Sequence, residues 1–245
     1  RSLGLLKHIL PALDATFGVD QNPRWHKYDV FTHTTVALSH SPEDLRVRLA
    51  ILYHDVGKPL VRTIGEDGSV RFYGHEKESA RLAQEDLSRL TFPGKLVKDV
   101  VKLVEEHMFF PNMSDSGIRR LYMRLDQRDD LLEDLLILRS CDIKAGRRNL
   151  DIRGFDRFAE RIFKVVHELK TRSHRAGFQL AINGLDIMIE LGIPAGPKVG
   201  QIKQHLLDFV MEDPSRNTRD QLLKELNNFI QDISVDAQRE VDVYA

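Results

Sequence analysis

Residues 51–59 read Ile-Leu-Tyr-His-Asp-Val-Gly-Lys-Pro. An apolar helical run ends here in an imidazole beside a carboxylate, and a Gly-Lys-Pro turn follows at once. His54 stands three residues after Ile51 and four after Ala50. Helical geometry therefore places it on the apolar face of its own helix. A polar group on that face has to be hydrogen-bonded, ion-paired or metal-bound.

The same pattern recurs outward from this stretch. His33 lies three residues after Val30 and four before Ala37, His107 three after Val104, and Asp142 four after Leu138 and seven after Leu135. His75 and Glu76 stand where a loop enters the next helix. A lone buried histidine is ordinarily a satisfied core residue, and His75 alone reads equally well as a surface residue at a helix N-terminus. Several imidazoles and two carboxylates converging in one core need a compensating charge. A divalent cation supplies it, and His/Asp ligands suit Mn, Fe, Ni, Co or Zn, with Mg as a further choice.

Most of the chain has helical periodicity. Leu5, Ile9 and Leu13 recur at that spacing, as do Val47, Ala50 and Ile51, then Val97, Val100 and Val104. Leu131, Leu135 and Leu138 follow, and then Ile162, Val165, Val166 and Leu169. Residues 60–73 instead alternate around Glu66-Asp67-Gly68, a hairpin signal. Ser41-Pro42 is read as a helix start with Ser41 as N-cap, Pro93-Gly94 as another start, and Gly192 to Gly200 as a break between two helices. Residues 171–183 lose periodicity. The expected fold is all-α: a helical bundle over 1–175 with one small β-hairpin, followed by a C-terminal helical module over 176–245.

The 245 residues are 42% hydrophobic and 30% charged with a net charge of -1, the profile of a globular chain rather than a strongly basic nucleic-acid binder. Cys141 is the single cysteine, so no internal disulfide or thiolate metal site can form, and a reducing, cytoplasmic compartment is expected. There is no apolar run near 18 residues, so no membrane partner is expected. The chain begins at Arg1, which reads as a trimmed piece or part of a longer polypeptide.

The ordered set His33, His54-Asp55, His75, His107, Asp142 resembles the HD superfamily of metal-dependent phosphohydrolases, in its two-metal branch, and HDVGKP is similar to that family's HDxGK form. Gly18 to Asn22, Trp25-His26, Tyr28 to Thr34, the stretch RFYGHEKESA and the stretch NGLDIMIELGIPAGPKVGQI resemble the HD region of bacterial CCA-adding enzymes and poly(A) polymerases. That family's nucleotidyltransferase head would precede residue 1. The resemblance implies that His33, His54, Asp55 and Asp142 hold one metal. Asp55 would bridge to a second, held by His75 and His107, with a metal-bridged hydroxide as nucleophile.

Three functions follow from the resemblance. The first is a metal-dependent phosphohydrolase acting on nucleotide or RNA 3′-end phosphoesters, of the 2′,3′-cyclic phosphodiesterase, 2′-nucleotidase or phosphatase type, with tRNA as a candidate partner. The second is the RNA-binding body of a CCA-adding nucleotidyltransferase, and the third a di-iron HD-fold oxygenase. Asp55 and Lys58 are the expected catalytic residues. Lys58, Arg119, Arg120, Lys144, Arg147 and Arg148 are candidates for binding substrate phosphates.

Overall fold

In the computed structural model, residues 4–21, 26–110, 112–146, 152–173 and 179–229 are described. Among the described residues the regular structure is helical apart from one two-stranded ribbon. Two short helices, α1 (Leu6–Ile9) and α2 (Pro11–Asp14), precede α3 (Val30–Ser39), α4 (Leu45–Tyr53) and α5 (Lys58–Val61). Strands β1 (Thr63–Ile64) and β2 (Val70–Arg71) come next, followed by α6 (His75–Arg89), α7 (Gly94–Glu106), α8 (Asp115–Arg124), α9 (Asp129–Ala145) and α10 (Ile152–Ser173). After these come α11 (Gly184–Leu191), α12 (Pro197–Glu212), a 3-10 turn at Pro214–Arg216 and a helical segment over 219–229.

The chain forms two compact units. One comprises Arg1–Met113 with Leu121–Arg161, the other Ser114–Arg120 with Ile162–Ala245. In the first unit α4 is central and packs against α3, α6, α7 and α9. Val47, Ala50, Ile51 and Tyr53 are all buried, so this helix presents no wide polar face. Arg46 donates to Asp99 on α7 and to Asp130 and Asp134 on α9, fastening the start of α4 to both neighbours. In the second unit Ile182, Ile187, Val199, Ile202, Leu206, Val210, Leu222 and Leu226 form a buried cluster of their own.

The ribbon pairs Thr63 with Arg71 and Ile64 with Val70, antiparallel, with Gly68 at φ +74° in the turn. Pro93 caps α7 at Gly94 as expected. Gly192 ends α11 in the left-handed region, its N–H on the Met188 carbonyl, which makes the Gly192–Gly200 stretch a helix-to-helix junction.

Two expectations are overturned. Asp44, not Ser41, caps α4: its carboxylate accepts from the Val47 N–H, while the Ser41 hydroxyl donates to the Leu38 carbonyl and closes the preceding helix. Leu5, Ile9 and Leu13 do not share one buried face. Pro11 divides the run into two one-turn helices, and Leu5 and Ile9 are 55% and 49% exposed while Leu13 is buried.

Candidate metal centre

The C-terminal end of α4 delivers His54 and Asp55 into the core of the first unit. Pro59 cannot continue an α-helix, so the backbone turns at Gly57 and restarts as α5. Gly57 is required by close approach. A Cβ there would lie 2.5 Å from the Ser79 nitrogen and 2.7 Å from the His75 carbonyl oxygen. The Gly57 N–H also donates to the Ser79 hydroxyl, which holds the HD turn against the first two turns of α6.

His33 from the middle of α3, His54 and His107 at the C-terminal ends of α4 and α7, and His75 opening α6 are all buried. His75 is thus not the surface residue its position alone allowed. Three of these rings are anchored identically. The Nδ1 of His54, His75 and His107 donates to the carbonyl three residues earlier, on Ile51, Phe72 and Val104, at 2.7, 2.8 and 2.7 Å. A carbonyl can only accept, so the proton sits on Nδ1 and a neutral ring keeps its lone pair on Nε2, facing the centre.

Those Nε2 atoms surround Asp55. Its Oδ2 lies 3.2 Å from His54 Nε2 and 3.9 Å from His33 Nε2, and its Oδ1 lies 3.3 Å from His75 Nε2 and 4.0 Å from His107 Nε2. One carboxylate therefore faces two histidine pairs, one through each oxygen. In each trio, His33-His54-Asp55 and Asp55-His75-His107, the ligand atoms lie within 4.8 Å of one another. Asp142 joins the first trio from α9, with Oδ1 at 2.8 Å from His33 Nε2 and 3.9 Å from His54 Nε2.

The electrostatics of this arrangement ask for a cation. Burial pushes the Asp55 carboxyl up. The positive charge of His54 when protonated and the Lys58 ammonium outweigh it and hold Asp55 well below the usual carboxylate range. Asp142 is likewise held low against burial, with Arg139 as the leading cause. Burial lowers His54, but Asp55 and Asp142 outweigh it and raise the ring. His107 goes the other way, down to about 3, through burial and the neighbouring His54 and His75 charges. Meanwhile His54 Nε2 is buried and makes no hydrogen bond. A buried nitrogen lone pair beside ionised carboxylates fits a divalent cation.

A cavity of about 1000 Å³ opens onto this centre, and its lining includes His26, Asp55, Lys58, His75, His107 and Asp142. Lys58 lines it too, but its ammonium is held between Asp55 Oδ2 and Gln21 Oε1, each at 2.7 Å. Arg139 was not singled out from the sequence. It lines the cavity and donates to Asp142 Oδ2 at 2.5 Å, and its position one helical turn before Asp142 was the available signal. Gln21 was likewise unassigned.

Of the other expected phosphate binders, Lys144 is exposed on the last turn of α9. Arg147 and Arg148 lie outside the described residues. Arg119 and Arg120 belong to the second unit. There Arg119 donates to the Met211 and Glu212 carbonyls, satisfying the end of α12, and Arg120 pairs with the Glu212 carboxylate at 2.8 Å.

A helical core that concentrates four buried histidines on one shared aspartate has the make-up of a metal-dependent phosphohydrolase. Residues 29–145 match the HD domain model, and this part of the chain belongs to the HD domain family. The chain is 36% identical over 220 residues to an A-adding tRNA nucleotidyltransferase of Deinococcus radiodurans, an alignment covering 84% of the chain and 48% of that protein. It is 35% identical over 213 residues to a CC-adding tRNA nucleotidyltransferase of Thermus thermophilus, covering 84% of the chain and 46% of the relative. A multifunctional CCA protein of Acinetobacter baumannii matches at 30% identity over 183 residues, covering 70% and 43%. The chain thus spans about half the length of the curated relatives it matches, and it is homologous to their HD region.

Proposed function

We propose that this chain hydrolyses nucleotide or RNA-end phosphoesters, such as 2′,3′-cyclic phosphates, 2′-nucleotides or terminal phosphates, at the Asp55 centre. The observation that carries the reading is the division of Asp55, with one oxygen toward His33 and His54 and the other toward His75 and His107. In this reading His33, His54, Asp55 and Asp142 hold one divalent cation, and Asp55, His75 and His107 a second. A cation pair so held would supply an acidified water and charge neutralisation at the phosphoryl oxygens. The chain's own residues supply the rest. The carbonyls of Ile51, Phe72 and Val104 keep three imidazoles in the metal-binding tautomer. Lys58 and Arg139 keep the two carboxylates ionised and oriented.

The names of the relatives support an RNA or nucleotide substrate, since two are called tRNA nucleotidyltransferases and the third a CCA protein. They also support a second reading, in which this region serves as an RNA-binding body. The lone, buried Cys141 suits a cytoplasmic location. Among the described residues no helix is long and apolar enough to cross a membrane.

The test is metal content of the purified protein, then hydrolysis of 2′,3′-cyclic AMP and p-nitrophenyl phosphate with Mn²⁺, Ni²⁺, Co²⁺ and Mg²⁺. Bound metal with metal-dependent turnover supports hydrolysis. Tight RNA binding with neither metal nor turnover moves the second reading to first place.

A further inference from the structure

The cavity at the Asp55 centre is far larger than a phosphoryl group needs, and its lining is chemically divided. Beside the His/Asp groups stand Phe72, Tyr73, Met108, Phe110 and Phe155. Tyr73 is 76% exposed and Phe110 58%. Large rings left in water beside a charged centre mark a surface built to be covered.

The chain places these rings with respect to one half of the centre. Tyr73 stands two residues before His75, and Phe110 three after His107. Phe72 is tied in directly, because its carbonyl accepts the His75 Nδ1–H at 2.8 Å and its ring centroid lies 5.4 Å from the Lys58 ammonium. The segments that present His75 and His107 therefore also carry Phe72, Tyr73 and Phe110 of the aromatic wall, with Phe155 added from α10, while His33 and Asp142 come from helices that contribute no aromatic side chain to it. A ligand that engages both halves of the lining needs an anionic group and a flat apolar one. Four rings suit a planar heterocycle better than an acyl chain, because offset stacking rewards a second π face.

Resting on the phosphoester reading above, we propose that Tyr73 and Phe110 form the subsite for the base of a nucleotide whose phosphoryl group sits at the Asp55 centre. The substrate class is then a nucleotide or nucleotide-terminated chain, selected by stacking rather than by base-edge hydrogen bonds. Purines should bind more tightly than pyrimidines through their larger faces.

The experiment compares binding of adenosine 5′-monophosphate and ribose 5-phosphate, which differ only in the base. Calorimetry would be done on the full chain with Mn²⁺ present, for wild type, Tyr73→Ala and Phe110→Ala. Stacking on an aromatic side chain is worth about 5- to 150-fold in affinity. The expected result is tighter binding of the base-bearing ligand by wild type, by about tenfold or more. Each alanine variant should shrink that preference while ribose 5-phosphate binding holds within about twofold. Equal affinity for the two ligands, binding of neither, or an equal loss for both in the variants would overturn the subsite. The readout is binding, so the two ideas fail separately. Base-dependent nucleotide binding without any metal-dependent turnover removes the hydrolytic reading and keeps the subsite. Turnover of phosphoesters with no base preference does the reverse.

Discussion

His75 Nε2 and His107 Nε2 lie 3.3 Å apart, although each ring has already committed its Nδ1 proton to a backbone carbonyl. Two neutral rings so oriented would point lone pairs at each other, which is unfavourable without a proton or a cation beside them. A divalent ion at about 100 times its dissociation constant would stabilise the fold by about 2.7 kcal/mol. For a chain of this size that is a rise of roughly 5–10 °C in melting temperature. Thermal unfolding with EDTA and with each of Mn²⁺, Ni²⁺, Co²⁺ and Zn²⁺ checks it, and an identical melting temperature in all of them would sink the metal centre.

Asp55 and Lys58 are a buried ion pair at 2.7 Å, and removing one partner strands the other. In metal-free protein Asp55→Asn should cost about 3–5 kcal/mol of stability. The double variant Asp55→Asn/Lys58→Met should recover part of that loss, while metal binding is absent from both. Urea unfolding of the four members of the cycle measures the coupling. Additive losses would mean that Lys58 is not held by Asp55 in solution.

His107 belongs to the second ligand trio alone, whereas Asp55 belongs to both. His107→Ala should lower metal content from about two ions per chain to about one, and Asp55→Ala to about zero. Elemental analysis after gel filtration distinguishes these cases. Equal loss in both variants would argue for a single shared ion.

Gly57→Ala puts a methyl 2.5 Å from the Ser79 nitrogen and 2.7 Å from the His75 carbonyl oxygen. Both obstacles are backbone, so α5 and α6 must separate. The expected loss is about 1–3 kcal/mol of stability, with weaker metal binding because His75 moves with α6. Wild-type melting and metal affinity in this variant would contradict the tight packing at the HD turn.

Asp99 accepts from Arg128 at 2.5 and 3.0 Å and from Arg46 at 3.2 Å. Burial pushes its carboxyl up, but the Arg128 and Arg46 hydrogen bonds and charges outweigh it and hold it below the usual carboxylate range. A depressed folded-state value contributes stability above the unfolded value near pH 4, which is lost as pH falls through the folded value. Asp99→Asn should therefore cost about 1 kcal/mol at pH 7 and progressively less below pH 4. Urea midpoints at pH 7 and pH 3 test this. A gap that widens toward acid would reverse the sign.

Much of the centre was legible because helical periodicity is a local property. Val47, Ala50 and Ile51 mark a buried stripe, and His54 on that stripe has to be buried with them. The same reasoning located His33 and His107. It failed at Leu5, Ile9 and Leu13, where the spacing was right but Pro11 broke the helix. It also chose Ser41 over Asp44, because both are good caps and only the backbone path into α4 distinguishes them.

The sequence by itself determined an all-helical fold with one ribbon, and which polar side chains each helix turns inward, since both follow from the period of the apolar residues. Only the tertiary structure decided that these groups meet. Asp55 and His107 are 52 positions apart in the chain, and no local rule brings them together. The packing of α3, α6, α7 and α9 around α4 does so, and it alone divides the Asp55 oxygens between two histidine pairs. It also turned Lys58 toward Asp55 and Gln21, and committed Arg119 and Arg120 to the end of α12, because a cation's partner is set by the nearest anion or carbonyl in space.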